Sequence, residues 1–401
     1  MKQGWEIKKF SDVVWFQEGP GVRKHQYTSE GIKLINVANL VNGVVDLSTS
    51  DRYISIEEAY GKYKHFLVDE GDLILASSGI QVEYIEKKMG FIHKEHLPLC
   101  MNTSTIRFKA LNRTTLDMTF FMYYLKSFDF KIQLKKLITG IAQLNFGPSH
   151  LKQMSIPIPP LPEQEKIVAE LDCLSGIIEN KKQQLKELDA LAESIFYTMF
   201  GDPITNEKGW EVKPLKESVE EMFLGPFGSA LKTDCYVDKD NSYCMVYEQK
   251  HAIRKTMNVE THYINQEKFE SLKRFEVHSG DFIMSCRGTI GEIYRLPNNA
   301  PMGIIHPSLM KIRINKDVYQ PIFFISLLTR IVKNEDTNGN CVQMAITAKE
   351  LGARKPIIPP LSLQQEFADK IEAIEKQKEL IKQSITETEE LFNSRMDYYF
   401  G

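Results

Sequence analysis

The strongest constraint on the fold is that the chain repeats itself. Four short segments recur in the same order, and the copies are separated by 205 residues at the first, 209 at the second and 200 at the last two. A repeat of this length predicts two copies of one domain, since a single core rarely spans 401 residues. The recurring segments are residues 4–8 and 209–213, 71–74 and 280–283, 158–161 and 358–361, and 200–201 and 400–401.

The back of each repeat has a fixed length, because residues 161–201 and 361–401 align without a gap. A proline-rich run at residues 156–162 cannot be helical, so a helix is predicted to begin directly after it. Apolar residues then recur with a 4-3 spacing, which is typical of a coiled coil. The first stripe is Ile167, Leu171, Leu174, Ile178, Lys181, Leu185, Leu188, Ala192, Ile195 and Met199, and the second is Phe367, Ile371, Ile374, Lys378, Ile381, Ile385, Thr388, Phe392, Arg395 and Tyr399.

Neither helix can bury such a stripe alone, so we expect the two to pack on each other, antiparallel and with pseudo-two-fold symmetry. The alternative is that each helix packs only on its own globular domain. Lys181 and Lys378 would either fix the register of the pair or extend to solvent. The residues predicted to form this coiled coil and to support partner binding are Ile167, Leu171, Leu174, Ile178, Leu185, Leu188, Ile371, Ile374, Ile381 and Ile385.

The predicted fold class is α+β, with two repeated mixed α/β domains joined by two long helices. The domains are residues 1–160 and 204–360, and the helical segments are 161–203 and 361–401. Short β-branched and aromatic runs separated by Gly, Asn and Asp predict strands. These are expected at residues 32–37, 73–76, 105–108, 282–284 and 309–314, and helices at 118–136 and 321–333.

This order of elements resembles the specificity subunit of type I restriction–modification systems over the whole chain. The most specific matching element is the Pro-Pro-Leu-x-x-Gln entry to each helix, Pro159 to Gln164 and Pro359 to Gln364. Other similar segments are 71–75 and 280–284, Gly225-Pro226-Phe227-Gly228-Ser229, and residues 286–291. The first domain departs from that last pattern, since residues 77–82 read Ser-Ser-Gly-Ile-Gln-Val.

The resemblance implies two target-recognition domains, each reading one half of a split double-stranded DNA target. The helices would set the distance between the halves and dock two modification subunits. Those subunits would supply S-adenosylmethionine-dependent adenine methylation, and restriction subunits would add ATP-driven translocation and cleavage. S-adenosylmethionine, ATP and Mg²⁺ are therefore expected on partner subunits, and no cofactor is expected on this chain.

The residues themselves predict a non-catalytic chain with no metal site. No GxxxxGK[ST] phosphate loop is present, and the two Pro-Pro pairs lack the amide and the aromatic residue that an adenine methyltransferase needs. Asp72, Glu86 and Lys88 have the loose spacing of a metal-dependent nuclease, an alternative that a chance charge pattern explains better. His93 and His96 form an HxxH pair without an evident third ligand.

Candidate DNA-binding residues lie in loops rich in Arg, Lys, Gln and hydroxyl groups, the side chains that contact phosphates and base edges. An ordinary solvated loop is the alternative for each, and a coiled-coil adaptor that binds proteins is the alternative for the whole chain. The candidates are Arg23, Lys24, Tyr27, Ser78, Gln81 and Gln143 in the first domain, and Lys232, Arg287, Thr289 and Gln343 in the second.

The net charge of −3 conceals a division along the chain. Residues 1–160 carry 20 basic and 16 acidic side chains, and residues 204–360 carry 21 and 19. Residues 161–203 carry 4 and 9, and residues 361–401 carry 5 and 9. Mildly basic domains alternate with acidic helices, which favour protein contacts over DNA contacts.

Location is predicted from what the sequence lacks. It has no apolar run of membrane-spanning length and no secretory signal at its N-terminus, so a cytoplasmic protein without membrane contact is expected. Its six scattered cysteines are expected to be reduced thiols.

Overall fold

The computed structural model describes residues 4–138, 145–333 and 345–401. These residues form two compact units, each described by itself below. Unit 1 comprises Met1–Lys182 with Lys382–Gly401, and unit 2 comprises Gln183–Ile381. Both long helices therefore contribute one part of their length to each unit.

Unit 1 contains eleven short strands and five short α-helices before the first long helix, counted over its described residues. The strands are β1 Glu6–Lys9, β2 Val14–Glu18, β3 Ile32–Ile35, β4 Leu40–Val41, β5 Val44–Val45, β6 Tyr53–Ile54, β7 Leu73–Ala76, β8 Met89–Phe91, β9 Leu99–Met101, β10 Thr105–Ala110 and β11 Ser155–Ile158. The helices are α1 Phe10–Val13, α2 Ile56–Tyr60, α3 Met118–Lys126, α4 Phe128–Leu137, α5 Pro148–Leu151 and the long α6 Leu161–Phe200.

Unit 2 follows the same plan with ten strands in its described part. The strands are β12 Glu211–Val212, β13 Val219–Leu224, β14 Cys244–Tyr247, β15 Tyr263–Ile264, β16 Glu276–Val277, β17 Phe282–Ser285, β18 Ile293–Arg295, β19 Gly303–Ile305, β20 Leu309–Ile314 and β21 Ile357–Ile358. The helices are α7 Leu215–Ser218, α8 Gln249–Arg254, α9 Gln266–Leu272, α10 Pro321–Lys333, α11 Ala348–Ala353 and the long α12 Leu361–Phe400.

Each unit is built around an antiparallel four-stranded sheet, in the order β2-β10-β7-β8 in unit 1 and β13-β20-β17-β18 in unit 2. A second sheet contains the one parallel strand pair described in its unit, β3 with β9 or β14 with β19. β1 pairs with β11, and β12 with β21, just before each long helix. The repeat seen in the sequence is therefore a repeat of topology.

One middle strand of each large sheet is almost wholly apolar, as expected where both faces of a strand are covered. All four residues of β7 and all four of β17 are buried. In unit 1 the sheet packs on α3 and α4, where Phe121 lies 5.3 Å from the rings of both Phe10 and Phe108. This packing is part of one contiguous hydrophobic core.

The two long helices run antiparallel within each unit. As the residue numbers increase along α6, the numbers of the contacting residues in α12 decrease. In unit 1, Lys181 donates to Thr388 over 3.3 Å, and Arg395 donates to Glu170 over 2.9 Å. Unit 2 has the same direction of pairing, for example Lys378 with Asp189 at 2.7 Å. Every position of both predicted stripes is buried or half-buried. The predicted α+β fold with two repeated domains and long antiparallel helices is confirmed.

The helix predicted at residues 118–136 is wrong as a single helix. The chain is extended at Ser127, with φ −70° and ψ 160°, and this residue separates α3 from α4. Its hydroxyl accepts a hydrogen bond from the backbone N–H of Phe130 over 3.2 Å. Serine competes well for such a capping position, so the apolar spacing continues across a break in the backbone.

The glutamine of each Pro-Pro-Leu-x-x-Gln segment holds the start of a long helix to its domain. Gln164 is fully buried; it donates to the carbonyls of Pro159 (2.8 Å) and Thr115 (2.9 Å) and accepts from the N–H of Asp117 (2.9 Å). Gln364 is also fully buried and makes the equivalent three bonds at 2.8, 2.9 and 2.8 Å. The segment is therefore a structural joint, repeated almost without change.

Candidate nucleic-acid interface

Antiparallel strand order gathers the loops of each large sheet at one end. β2 and β7 finish at this end while β8 and β10 begin there, and unit 2 repeats the arrangement. We call these ends the loop edges. The loop edge of unit 1 comprises residues 19–31, 36, 77–88 and 102–104, and that of unit 2 comprises residues 225–243, 248–249, 286–292 and 306–308.

A glycine at the base of each loop edge permits a close crossing of two chain segments. A Cβ at Gly19 would lie 1.9 Å from the carbonyl oxygen of Asn102, and one at Gly225 would lie 2.2 Å from that of His306. Only glycine fits at such a distance. The loops after β2 and β13 are therefore anchored where they leave the sheet.

In unit 1 the structure places the described candidates on one loop edge. Arg23, Lys24 and Gln81 are exposed, whereas Tyr27 and Ser78 are half-buried. The Tyr27 hydroxyl accepts from the Asn102 amide over 3.3 Å, and the Arg52 guanidinium lies 5.4 Å from the Tyr27 ring centre. Gln143 lies outside the described residues.

In unit 2, Lys232, Arg287 and Thr289 are exposed on the corresponding edge. The loop carrying Arg287 and Thr289 is held by Gln249, whose amide donates to the carbonyl of Arg287 over 2.6 Å and to that of Thr289 over 3.3 Å. Arg287 also forms an isolated bridge with Ala345, as Ser78 does with Asn145 in unit 1. Gln343 lies outside the described residues.

The sequence reasoning missed the polar residues that end the parallel strand pairs in unit 1. Asn36 and Asn102 directly follow β3 and β9; Asn102 donates to Asn36 over 2.7 Å, and both side chains are buried. A polar residue immediately after an apolar strand was the available signal. The carboxyl ends of parallel neighbours meet at one edge, and this brings the two amides together.

Unit 2 has different chemistry at the same two places. Glu248 and His306 follow β14 and β19, and Glu248 accepts from the Thr261 hydroxyl over 2.9 Å and lies 2.9 Å from the His262 ring nitrogen. Burial alone would raise the pKa of Glu248, but hydrogen bonds from His262, Thr261 and Lys250 hold it below its ordinary value. Burial lowers the pKa of His306. The edge of unit 1 therefore presents amides where that of unit 2 presents titratable groups.

The carboxylates of the Gly-Asp segments are structural, and they lie at the opposite ends of β7 and β17 from the loop edges. Asp72 is buried, accepts from the N–H of Asp69 over 2.8 Å and pairs with Arg107 at 3.4 Å. Burial raises the pKa of Asp72, while the hydrogen bond from the backbone N–H of Asp69 and the charges of Lys109 and Arg107 oppose the increase. Asp281 is held in the same way by two hydrogen bonds from Arg313, at 2.7 and 2.8 Å.

The nuclease alternative fails because its three residues have separate partners. Asp72 is committed to the contacts just described, Glu86 pairs with Lys131 at 2.9 Å, and Lys88 donates to the carbonyl of Leu40 over 2.8 Å. No group of three or more possible metal ligands occurs within residues 4–138, 145–333 and 345–401. The HxxH pair is a turn in which the N–H of His93 donates to the His96 ring over 3.0 Å.

The arrangement offers guanidinium, ammonium, amide and hydroxyl groups on exposed loops above an anchored sheet end. Such groups bind phosphate oxygens and base edges. Residues 2–190 and 207–390 match the family described as "Type I restriction modification DNA specificity domain". The chain belongs to this family. It is a subunit for recognising DNA sequence and is non-catalytic, and the adaptor alternative is not favoured.

Named relatives extend the match over nearly the whole chain. The putative type I restriction enzyme MjaX specificity subunit of Methanocaldococcus jannaschii is 22% identical over 381 residues, covering 93% of this chain and 87% of the relative. The type I restriction enzyme EcoKI specificity subunit of Escherichia coli K12 is 21% identical over 399 residues, covering 93% and 82%.

A solved structure supports the fold. A chain from a study of complex assembly and conformational transition in a type I restriction–modification system superposes with a TM-score of 0.65 at 17% identity, covering 100% of this chain and 98% of that one. Family membership implies DNA and the other subunits of such a complex as partners. Among the described helices, none combines the length and the apolar character needed to cross a bilayer.

Proposed function

We propose that the loop edge of each unit reads one half of a bipartite duplex target and that α6 and α12 set the spacing between the halves. The observation that carries this proposal is the duplication of the loop edge on one scaffold with different side chains. A repeated scaffold with a divergent edge suits one chain that recognises two different short sequences. The residues proposed to contact DNA are the exposed candidates Arg23, Lys24, Gln81, Lys232, Arg287 and Thr289, together with Tyr27 and Ser78.

The charge distribution supports a division of labour between this chain and its partners. The domain segments have net charges of only +4 and +2, from 20 basic against 16 acidic and 21 against 19 side chains. Phosphate neutralisation provides much of the affinity of most DNA-binding proteins. We therefore expect weak DNA binding by the isolated chain and tighter binding once partner subunits add positive charge around the duplex.

The acidic long helices are proposed to dock two modification subunits, one on each repeat of the helical segment. Leu191 and Leu391 occupy equivalent repeat positions and are 47% and 50% exposed. Two large apolar side chains exposed at equivalent places suit two copies of one partner. S-adenosylmethionine, ATP and Mg²⁺ are proposed to act on the modification and restriction subunits, and the complex is proposed to work in the cytoplasm.

The spacing role is tested by lengthening both helices together. Seven residues inserted after Lys182 and seven after Ile381 preserve the 4-3 stripe and add about 10.5 Å to each helix. At 3.4 Å per base pair, the preferred spacer should increase by about three base pairs while both half-sites stay the same. The measurement is the methylated motif in cells that express the lengthened chain with its modification subunits. An unchanged spacer would contradict the proposal.

A further inference from the structure

The first part of the loop after β13 is three residues longer than the first part of the loop after β2. Both loops leave a Gly-Pro pair and reach a buried apolar residue, Val22 at 4% exposure and Leu231 at 5%. Only Gly21 stands between Pro20 and Val22, whereas Phe227 to Ala230 stand between Pro226 and Leu231. The extra length therefore belongs to the loop edge of unit 2 alone.

Phe227 is 88% exposed, the most exposed large apolar side chain among the described residues. The backbone around it is fixed at both ends. The N–H of Gly225 donates to Leu309 over 2.8 Å, that of Ala230 donates to Phe227 over 2.8 Å, and Leu231 is buried just beyond. The phenyl ring is thus held out into solvent by an anchored turn, and the fold itself makes no use of its apolar surface.

Exposed cations lie on the same loop edge as this ring. Lys232 follows on the same loop, and Arg287 follows β17. β13 and β17 are separated by one strand, so their ends are about 10 Å apart. Cations at such separations bind phosphates, while an apolar side chain on the same edge can enter the stacked bases.

We propose that Phe227 inserts as a wedge between two adjacent base pairs of the half-site read by unit 2. The ring exchanges solvent for the faces of the separated bases, and the duplex bends at that step. Pyrimidine–purine steps unstack most easily, so one such step is favoured at this point of the target. Unit 1 has only Gly21 at the corresponding place, so its half-site stays stacked. This inference rests on the proposed function of the loop edge.

The test uses the chain assembled with its modification subunits on its methylated-motif duplex, with 2-aminopurine placed at successive positions of both half-sites. Wild type should give a fluorescence increase at one step in the half-site of unit 2 and none in that of unit 1. Phe227→Ala should abolish the increase and weaken binding about tenfold, and Phe227→Leu should retain part of both. Leu111→Ala is the control, because Leu111 is 54% exposed and follows the end of β10 that lies opposite the loop edge.

Two results would overturn the wedge. One is an unchanged fluorescence pattern and affinity in Phe227→Ala. The other is that Phe227→Ala no longer assembles with the modification subunits in the absence of DNA. That result would show that the Phe227 ring contacts a modification subunit. Failure of the proposed function looks different, since wild type would then show no preference for a two-part target.

Discussion

In unit 1 the two parallel strands are followed directly by Asn36 and Asn102, whereas in unit 2 they are followed by Glu248 and His306. Beneath these edges the scaffolds agree, down to the three hydrogen bonds of Gln164 and of Gln364. Since the same backbone plan carries both sets, the residues that differ are not required by the fold. The comparison teaches that the loop edges are free to specify different ligands.

The long helices show a second difference between the units. In unit 1 the Lys181 ammonium donates hydrogen bonds to Ser384 and Thr388, and in unit 2 Lys378 forms an ion pair with Asp189. The two lysines occupy different positions of the repeat, where the other copy has Ile381 and Ile178. Each unit therefore has its own polar contact in the helix stripe, which distinguishes the correct register from a shifted one.

The largest effect is expected where the units are alike. Gln164→Ala and Gln364→Ala should each destabilise their own unit by about 2–4 kcal/mol, because buried backbone groups lose their partners. Hydrogen exchange should rise in unit 1 for the first variant and in unit 2 for the second. Gln365→Ala, at an exposed neighbouring position, is the control. An equal increase in hydrogen exchange in both units after either substitution would show that each glutamine does not stabilise its own unit alone.

The next effect should separate the loop edges. Arg287→Ala should weaken binding of the half-site read by unit 2 by about 1–3 kcal/mol, since one guanidinium contact to a base is worth that much. Arg295→Ala is the matched control, because Arg295 is exposed at the far end of β18. The measurement is a competition assay with duplexes altered in one half-site at a time. An equal loss of discrimination in both half-sites would contradict the assignment of each half-site to one unit.

Acid should affect the edge of unit 2 more than that of unit 1. Burial lowers the pKa of His306; nearby Glu248 opposes this effect, while His262 and Arg287 add to it. The unfolded chain thus takes up the proton first, so stability is complete above about pH 6.5 and falls as the pH drops below it. His306→Asn, which copies Asn102, should reduce this loss. Hydrogen exchange of residues 303–310 between pH 7.5 and 5.5 provides the measurement.

The smallest effect is expected from the helix lysines. Lys181→Met and Lys378→Met should each change the free energy of unfolding by less than about 1 kcal/mol, because methionine retains the apolar stem while the polar contact is lost. Lys182→Met serves as the control, since Lys182 makes an exposed pair with Glu389. Urea unfolding measures all three. A large loss in only one lysine variant would show that one unit depends on its polar contact for stability.

The repeat and the 4-3 stripes predicted the parts of the fold that depend on length and periodicity. They did not predict the break at Ser127, because a capping serine interrupts the backbone without interrupting the apolar spacing. The candidate loops were found from composition, since exposed Arg and Lys differ from core residues. The Asn36–Asn102 pair was not found, because a buried amide after a strand has the same sequence signature as a solvated turn. The sequence shows that residue 227 is a phenylalanine, but it does not show that the side chain is exposed, because exposure depends on tertiary structure.

The central claim is that each unit specifies one half of a two-part DNA target. Methylome sequencing of cells that express the chain with its modification subunits tests it most directly, with wild type and Arg287→Ala side by side. We predict a two-part motif for wild type, and for the variant a relaxed sequence in one half with the other half and the spacer unchanged. A continuous motif, or simultaneous change in both halves, would contradict the account.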